Sequence, residues 1–403
     1  MVASRALMSL LIACAIEGDR VEVEHLLANS ADVMAKDDDG MNALFYAVLA
    51  GRPEVTSVLL AHGGKSLALS MAPNDVSCLY LACQDGHVDI ARQLIEVGQR
   101  DLLRTSSWDG CSCLYVACQQ GHLEIVHELI AAAPELLDVT GRNDFSCLHI
   151  ACQHGQVAVA KALIAARPPL LHQTAEMRLT CLHVACKHGH ADMAAMLAEA
   201  GGDALARRLT SSGRTCLDLA CAEGHADAAR ALLAAPRGPG LLGAAGDGGR
   251  WCMYQACLRG HAGVVEALLA AGGEGAVGGA ESSCVLAACA GGHAGVVRAL
   301  GQQLGAAALG SAPGGAGACL RAAWAGGHVD AVAAVVGLAG GATLGIVRQE
   351  RRALLLAARL WGHGAMVRAL TGGRGVCGGR GAGRGPRGRP SPGPRSVGAG
   401  RRQ

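Results

Sequence analysis

Only 2% of the 403 residues are aromatic, whereas alanine and glycine are abundant, so the composition excludes a globular core built on large rings. Residues 372–403 hold eight arginines and no acidic residue, so residues 1–371 carry a net charge of −6 once these eight charges are removed from the total of +2. This mildly acidic region offers no continuous basic face, and we expect no groove for nucleic acid in it.

One unit recurs along the chain: a helix, a glycine turn that is usually followed by histidine, and a second helix, with a period of 32 to 36 residues. The turn glycines, which number the repeats from one to eleven, are Gly18, Gly51, Gly86, Gly121, Gly155, Gly189, Gly224, Gly260, Gly292, Gly327 and Gly362. A period of this length predicts one elongated stack rather than two or three separate domains.

The first predicted helix covers residues 6–16, which follow Arg5 and are as hydrophobic as a signal peptide. The same residues align with the first helix of the repeat, because Cys14 lies four residues before Gly18. We therefore interpret the segment as a repeat helix and keep a signal peptide as the alternative.

Residues 180–197, TCLHVACKHGHADMAAML, show the repeating unit most fully. Cys181 opens the first helix and Gly189 ends it. In the second helices, apolar residues recur in steps of three and four, as at Ile125 and Leu129, which predicts one buried stripe per helix. The 10 to 20 residues between one unit and the next are rich in turn formers and predict short hairpins that project from the stack.

This unit resembles the ankyrin repeat, whose Thr-Pro-Leu-His start, small-residue helix and Gly-His turn are matched closely by residues 180–190 and 146–155. Cysteine stands here where that family usually has proline, and again where it has the second alanine. The resemblance covers about residues 9–371. It implies an all-α solenoid of about eleven stacked helix-turn-helix repeats with short hairpin loops.

Sixteen of the 18 cysteines follow the repeat in two columns. Column one holds Cys78, Cys113, Cys147, Cys181, Cys216, Cys252, Cys284 and Cys319. Column two holds Cys14, Cys83, Cys118, Cys152, Cys186, Cys221, Cys257 and Cys289. Two cysteines five residues apart on one helix have Cα atoms about 8 to 9 Å apart, which is too far for a disulfide. Cysteines of the same column in adjacent repeats lie about one helix-packing distance apart, roughly 8 to 10 Å, which is too far for thiolates that share one zinc ion. We interpret the cysteines as small buried residues in a reducing compartment.

The repeats become degenerate toward the C terminus: the best-formed ones span about residues 77–235, and Gly/Ala-rich ones span about 250–371. Gly/Ala linkers at residues 272–280 and 310–318 replace the hairpin sequences and are expected to be flexible. Residues 331–347 are uncharged but short and broken by four glycines, so no membrane span is expected. Residues 372–403 cannot form a core and are predicted to be a disordered tail.

The ankyrin resemblance implies a non-enzymatic scaffold that holds a protein partner on a concave face of first helices and hairpin tips. The pair of residues before each turn glycine would face this surface, and the polar, varied pairs of repeats three to six place the partner there. The predicted contacts on the helices are Gln84, Asp85, Gln119, Gln120, Gln153, His154, Lys187 and His188. Those in the hairpins are Trp108, Arg142, Phe145 and Arg178, because Trp and Arg are enriched at interface hot spots.

Two of these assignments have an equally weighted alternative: Trp108 and Phe145 could instead pack a hairpin against its neighbour. The histidine after each turn glycine recurs too regularly for a metal site or proton relay and predicts turn-stabilising hydrogen bonds. The sequence contains no phosphate-binding glycine loop and no His-Glu-x-x-His helix. We therefore expect no catalytic residue, no metal and no cofactor, and a protein that is not an enzyme.

Two other functions remain as alternatives. An RNA-associated adaptor could use the Arg-Gly tail, although no aromatic residue interrupts its arginines, so nucleic-acid binding by the tail would be weak. A thiol-based redox or metal sensor could use the cysteines and histidines of repeats five and six, namely Cys147, His149, Cys152, His154, Cys181, His183, Cys186 and His188. The leading prediction is a monomeric scaffold in the cytoplasm, with the nucleus as a second compartment.

Overall fold

The computed structural model describes residues 2–107, 110–235, 241–242, 250–272, 281–305, 307–310, 312, 314–338, 342–360 and 362–371. Trp108 and the tail at residues 372–403 lie outside these ranges. The helices are α1 Val2–Glu17, α2 Arg20–Ala28, α3 Ala43–Leu49, α4 Pro53–Ala68, α5 Cys78–Asp85, α6 Val88–Leu103, α7 Cys113–Gln120, α8 Leu123–Ala132, α9 Cys147–Gln153, α10 Val157–Ala166, α11 Cys181–Lys187, α12 Ala191–Ala206, α13 Cys216–Glu223, α14 Ala226–Ala234, α15 Arg250–Arg259, α16 Ala262–Gly272, α17 Glu281–Ala290, α18 Ala294–Leu304, α19 Ala307–Gly310, α20 Gly315–Ala325, α21 Val329–Leu338, α22 Ala342–Leu360 and α23 Gly364–Thr371.

The helices form two layers, which confirms the predicted helical solenoid. In one layer each first helix packs against the first helix of the next repeat, from α1 on α3 to α20 on α22. The second helices form the other layer, from α2 on α4 to α21 on α23. Alanine and cysteine recur among the buried residues of the first helices, and the buried side chains form one continuous core along the stack.

A short hydroxyl or amide side chain begins each of the best-formed first helices. Its oxygen accepts a hydrogen bond from the backbone of the first turn, as Ser77 does from the Tyr80 N–H at 3.2 Å and Thr180 does from the His183 N–H at 3.3 Å. At the other end, Gly86 adopts the left-handed conformation, with φ of 82°, and closes α5. These two signals set the helix at seven or eight residues, as α11 and α5 show.

An additional helical turn follows several second helices, a feature that the turn-forming composition did not predict. It appears as a kinked extension of α4, α6 and α12 at Gly64, Gln99 and Gly202, and as separate 3-10 helices at Pro134–Asp138 and Pro168–His172. Each turn buries two consecutive apolar residues: Leu67 and Ala68, Leu102 and Leu103, Leu136 and Leu137, Leu170 and Leu171, and Leu205 and Ala206. The linkers thus add to the core before the chain reaches the hairpin.

The hairpins are short, as predicted. Strands β1 Met71–Ala72 and β2 Val76–Ser77 pair in antiparallel fashion, with Met71 opposite Ser77, and single bridges join Ser106 to Ser112 and Thr174 to Thr180. Three further 3-10 turns lie in the hairpins, at Pro73–Asp75, Arg142–Asp144 and Glu176–Arg178. These hairpins therefore end directly at the N-cap of the next first helix.

The prediction of a flexible linker at residues 310–318 is partly wrong. Residues 315–318 belong to α20, where Ala316 and Gly317 are buried, because this Gly/Ala segment supplies the small surface that packs on α17. In the other predicted linker, residues 273–280 lie outside the described ranges. Residues 331–347 are divided between α21 and α22, and none of the described helices combines the length and apolar character needed to traverse a bilayer.

The C-terminal end of the described stack exposes apolar surface on one side. Leu356 and Leu360 of α22 are 63% and 74% exposed. Since the last of the described repeats has a described neighbour on one side only, we expect the amides of α22 and α23 to exchange at least about tenfold faster than those of α9 and α11. Hydrogen exchange followed by mass spectrometry measures this ratio, and equal protection in the two pairs would contradict it.

Candidate functional site

Side chains that follow the turn glycines form a row that joins most of the described repeats to the one before. The His190 ring nitrogen Nε2 lies 2.8 Å from the Gln153 carbonyl, and the His225 Nε2 lies 3.0 Å from the Lys187 carbonyl. Gln156 takes the histidine's place in repeat five and donates to the Gln119 carbonyl at 3.4 Å. The predicted hydrogen bonds are therefore present, but they connect neighbouring repeats rather than closing a turn within one repeat.

The cysteines form a second row. The seventeen cysteines that the structure describes carry free thiols and are buried, as predicted for small core residues. The column-two thiol of one repeat contacts the column-one thiol of the next: Cys83 with Cys113, Cys118 with Cys147, Cys152 with Cys181, Cys186 with Cys216, Cys221 with Cys252, Cys257 with Cys284, and Cys289 with Cys319. These contacts join different columns of neighbouring repeats, so the distances between thiols within one helix or within one column do not predict them.

Burial raises the pKa of the Cys83 thiol, and its contact with Cys113 raises it further, so the thiol stays protonated at neutral pH. Column-one thiols can donate to the preceding linker, as Cys181 does to the Leu171 carbonyl and Cys216 to the Ala206 carbonyl, both at 3.4 Å. In the described part of the chain, no three His, Cys, Asp or Glu side chains are arranged to hold a metal ion.

Two buried histidines occupy the third position of first helices. The His149 Nδ1 lies 2.8 Å from the Ser146 hydroxyl and accepts from the Ser146 N–H at 3.4 Å, while its Nε2 lies 3.2 Å from the Leu179 carbonyl. Nδ1 is therefore the acceptor and Nε2–H the donor, which is the neutral form. Burial lowers the pKa of His149 to about 4, and the same cause lowers the pKa of His183 to about 4.

A cavity of about 550 Å³ opens on the surface formed by the first helices and hairpins of repeats four to six. We call it the central groove. Seven of the residues predicted from the sequence line it: Gln119, Arg142, Phe145, Gln153, His154, Lys187 and His188. It is completed by Cys111, Tyr115, Asn143, Ile150, Leu179 and Val184.

The polar walls of the groove come from the last turns of three successive first helices. Gln119 lies near the end of α7, Gln153 ends α9 and Lys187 ends α11. The residues that follow the last two, His154 and His188, line the groove as well. The additional lining residues lie one helical turn earlier: Tyr115 precedes Gln119 by four residues, and Val184 precedes Lys187 by three. The three- and four-residue spacing of a helix face was the signal that would have identified them.

The hairpins supply the apolar rim. Phe145 and Leu179 each directly precede the N-cap of a first helix; Phe145 is half-buried and Leu179 is exposed only in part. The ring of Phe145 packs against the ring of His149, with centroids 5.4 Å apart. Phe145 thus packs its hairpin onto the repeat, as the alternative for this residue expected, and it also lines the groove. Its contact with a partner stays a prediction.

The remaining predicted contacts are not brought into the groove. Gln84, Asp85 and Gln120 lie at the ends of α5 and α7 and do not line it. Arg178 is exposed at a hairpin tip, where its neighbour Leu179 lines the cavity instead. Trp108 lies outside the described residues.

The groove carries positive charge and no negative charge among its lining residues. Arg142 and Lys187 are its permanent cations, and none of the thirteen lining side chains is Asp or Glu. Partial burial lowers the pKa of His154, with a contribution from His190. Burial also lowers the pKa of His188, with Lys187 adding to the effect, so neither imidazole is protonated at neutral pH.

A two-layered stack of helix pairs with a groove across its first helices defines a repeat solenoid whose elongated surface suits it to binding other proteins. The family model for ankyrin repeats, each match holding three copies, matches residues 10–105, 79–174 and 148–240. These matches cover more than half of the chain, which therefore belongs to the ankyrin repeat family. Ankyrin repeats are generally protein–protein interaction modules, and the fold is typically a non-enzymatic scaffold.

Among solved structures, the chain is similar to the crystal structure of the human ASB11 ankyrin repeat domain. The sequences are 22% identical, the similarity covers 52% of this chain and 90% of that chain, and the TM-score is 0.45. No curated protein sequence matches the chain.

Proposed function

We propose that this protein is a non-enzymatic scaffold that binds a partner protein in the central groove. The observation that supports the proposal is the convergence of side chains from three consecutive repeats on one cavity. A single repeat contributes only part of the lining, so a groove of this composition needs repeats four, five and six together. Partly buried apolar side chains beside polar ones provide the mixture on which protein interfaces depend.

The domain boundaries, the cellular location and the oligomeric state of the chain are part of the proposal. Residues 1–371 form one ankyrin-repeat solenoid, with the best-formed repeats at about 77–235 and the Gly/Ala-rich repeats at about 250–371. The seventeen free thiols suit a reducing environment, which supports a cytoplasmic or nuclear location. The scaffold acts as a monomer, and residues 372–403 form an appended tail.

Affinity purification with a groove variant tests this function. In the variant, five lining residues are changed to alanine: Gln119→Ala, Gln153→Ala, His154→Ala, Lys187→Ala and His188→Ala. These side chains are exposed or half-buried at helix ends, so the fold is expected to survive. Under reducing conditions and with nuclease present, the wild-type chain is expected to retain partner proteins that the groove variant loses.

A second variant controls for general surface effects. It carries His127→Ala, Lys161→Ala and Glu199→Ala, three exposed positions on the second helices α8, α10 and α12 of the same repeats. This control is expected to retain the wild-type partners. Identical partner sets for wild type and groove variant would overturn the proposal, as would equal losses in both variants.

A further inference from the structure

We infer that the central groove is built for an extended acidic peptide segment that carries one apolar side chain. This inference rests on the proposed function and specifies the chemistry of the partner. The groove presents positive charge, an apolar floor and amide side chains, and each of these features selects a different property of the bound segment.

Charge is the first feature. Lys187 is exposed at the end of α11, and within the described ranges no carboxylate pairs with it. Arg142, on the hairpin that leads into α9, is a second cation of the lining but already takes part in an interaction within the chain. Lys187 is therefore the cation available to a ligand. No acidic side chain lines the groove, although Asp144 lies in the hairpin between Asn143 and Phe145. Asp85 on α5 and Glu223 on α13 lie beyond the groove, and Glu223 lies 3.8 Å from Arg259. A ligand carboxylate that lies beside Lys187 therefore meets attraction in the groove.

Apolar surface is the second feature. The side chains of Ile150 and Val184 are buried in the floor between α9 and α11, while Phe145 and Leu179 stand at the rim. One aliphatic or aromatic side chain of a ligand can be covered by these four groups. Its burial supplies stabilisation that surface charges alone do not provide.

The length of the groove fixes the length of the segment. Adjacent first helices pack about 10 Å apart, so Gln119 and Lys187, two repeats apart, are separated by about 20 Å. An extended peptide of about six residues spans that distance. The amides of Gln119, Gln153 and Asn143 lie along this path, where they can donate to and accept from the peptide backbone.

A nucleic acid fits the same groove less well. Only two lining residues carry permanent positive charge, and neither aromatic ring is free for stacking, since Tyr115 is 8% exposed and Phe145 packs on His149. The structure therefore favours a peptide over a polyphosphate chain.

Panning of a random octapeptide phage library on the full chain tests this inference. The wild-type chain and the five-alanine groove variant are panned in parallel, and both retain residues 372–403, so the tail contributes equally to the two selections. Peptides enriched only by wild type are expected to be rich in Asp and Glu around one apolar residue. Groove-dependent enrichment of neutral or basic peptides would overturn the inference while leaving the proposed function intact. Absence of any groove-dependent enrichment would contradict both.

Charge reversal then checks the contact residue with the strongest enriched peptide. Lys187→Glu is expected to weaken peptide binding about tenfold, measured by fluorescence anisotropy, because an attraction is replaced by a repulsion. Lys161→Glu, an exposed change on α10, makes the same change in net charge away from the groove and is expected to leave affinity within about twofold of wild type. Equal effects of the two changes, or displacement of the peptide by an equal concentration of single-stranded RNA octamer, would overturn the inference.

Discussion

Acidification from pH 7 to pH 4 is expected to destabilise the stack by about 3 kcal/mol for each of the two buried histidines. Burial lowers the pKa of His149 and of His183 to about 4, whereas the pKa of an unfolded histidine stays near its ordinary value of 6.5. The unfolded chain therefore binds more protons than the folded chain between these values. The stabilisation is complete above about pH 6.5 and is lost progressively as the pH falls toward 4.

The corresponding measurement is urea unfolding, followed by circular dichroism, at several pH values in this window. The matched control is the double variant His149→Gln and His183→Gln, because glutamine at this helix position can still accept from the N-cap backbone but does not titrate. Its free energy of unfolding should depend on pH much less steeply than that of wild type. Parallel curves for the two proteins would show that these histidines do not cause the acid sensitivity.

Gly189→Ala is expected to destabilise the stack by about 3 kcal/mol, since the change combines backbone strain with a steric collision. Gly189 has a φ of +80°, and a Cβ atom there would lie 2.5 Å from the Nδ1 of His225 in the next repeat. The imidazole would have to move, although its Nε2 lies only 3.0 Å from the Lys187 carbonyl. Urea unfolding of the variant measures the loss.

Two further variants separate the collision from the strain. Gly213→Ala introduces a Cβ at a φ of +72° in a hairpin where no atom lies within 4 Å, so about 1 kcal/mol of strain alone is expected. In a His225→Ala background, Gly189→Ala should cost no more than Gly213→Ala does, because the colliding ring is gone. An unchanged cost of Gly189→Ala in that background would rule out the contact as its cause.

The sequence alone predicts the repeat, the register of its units and seven of the thirteen residues that line the groove. Gly155 and Gly189 mark the same turn in successive units, so the repeat pattern alone assigns the pairs Gln153 with His154 and Lys187 with His188 to equivalent helix ends. The residues near a glycine turn determine where the helix ends, so a repeated sequence that contains the turn also predicts the helix end.

Contacts between repeats could not be predicted in the same way. The bond from the imidazole of His190 to the carbonyl of Gln153 depends on the tilt and spacing of neighbouring helix pairs, which no local pattern states. The contact between Cys152 and Cys181 likewise joins different columns. The buried residues Leu170 and Leu171 were overlooked because they lie in a segment whose turn-forming residues indicated only a hairpin.

The contact between a column-two thiol and a column-one thiol recurs at successive junctions between repeats. Every described junction from repeat three to repeat ten joins a column-two cysteine to a column-one cysteine. Excision of one whole period, residues 147–180, would bring Cys118 against Cys181 and recreate the same junction. The loss of a whole unit would therefore keep this thiol pair at the new junction, although it would remove Ile150, Gln153 and His154 from the groove.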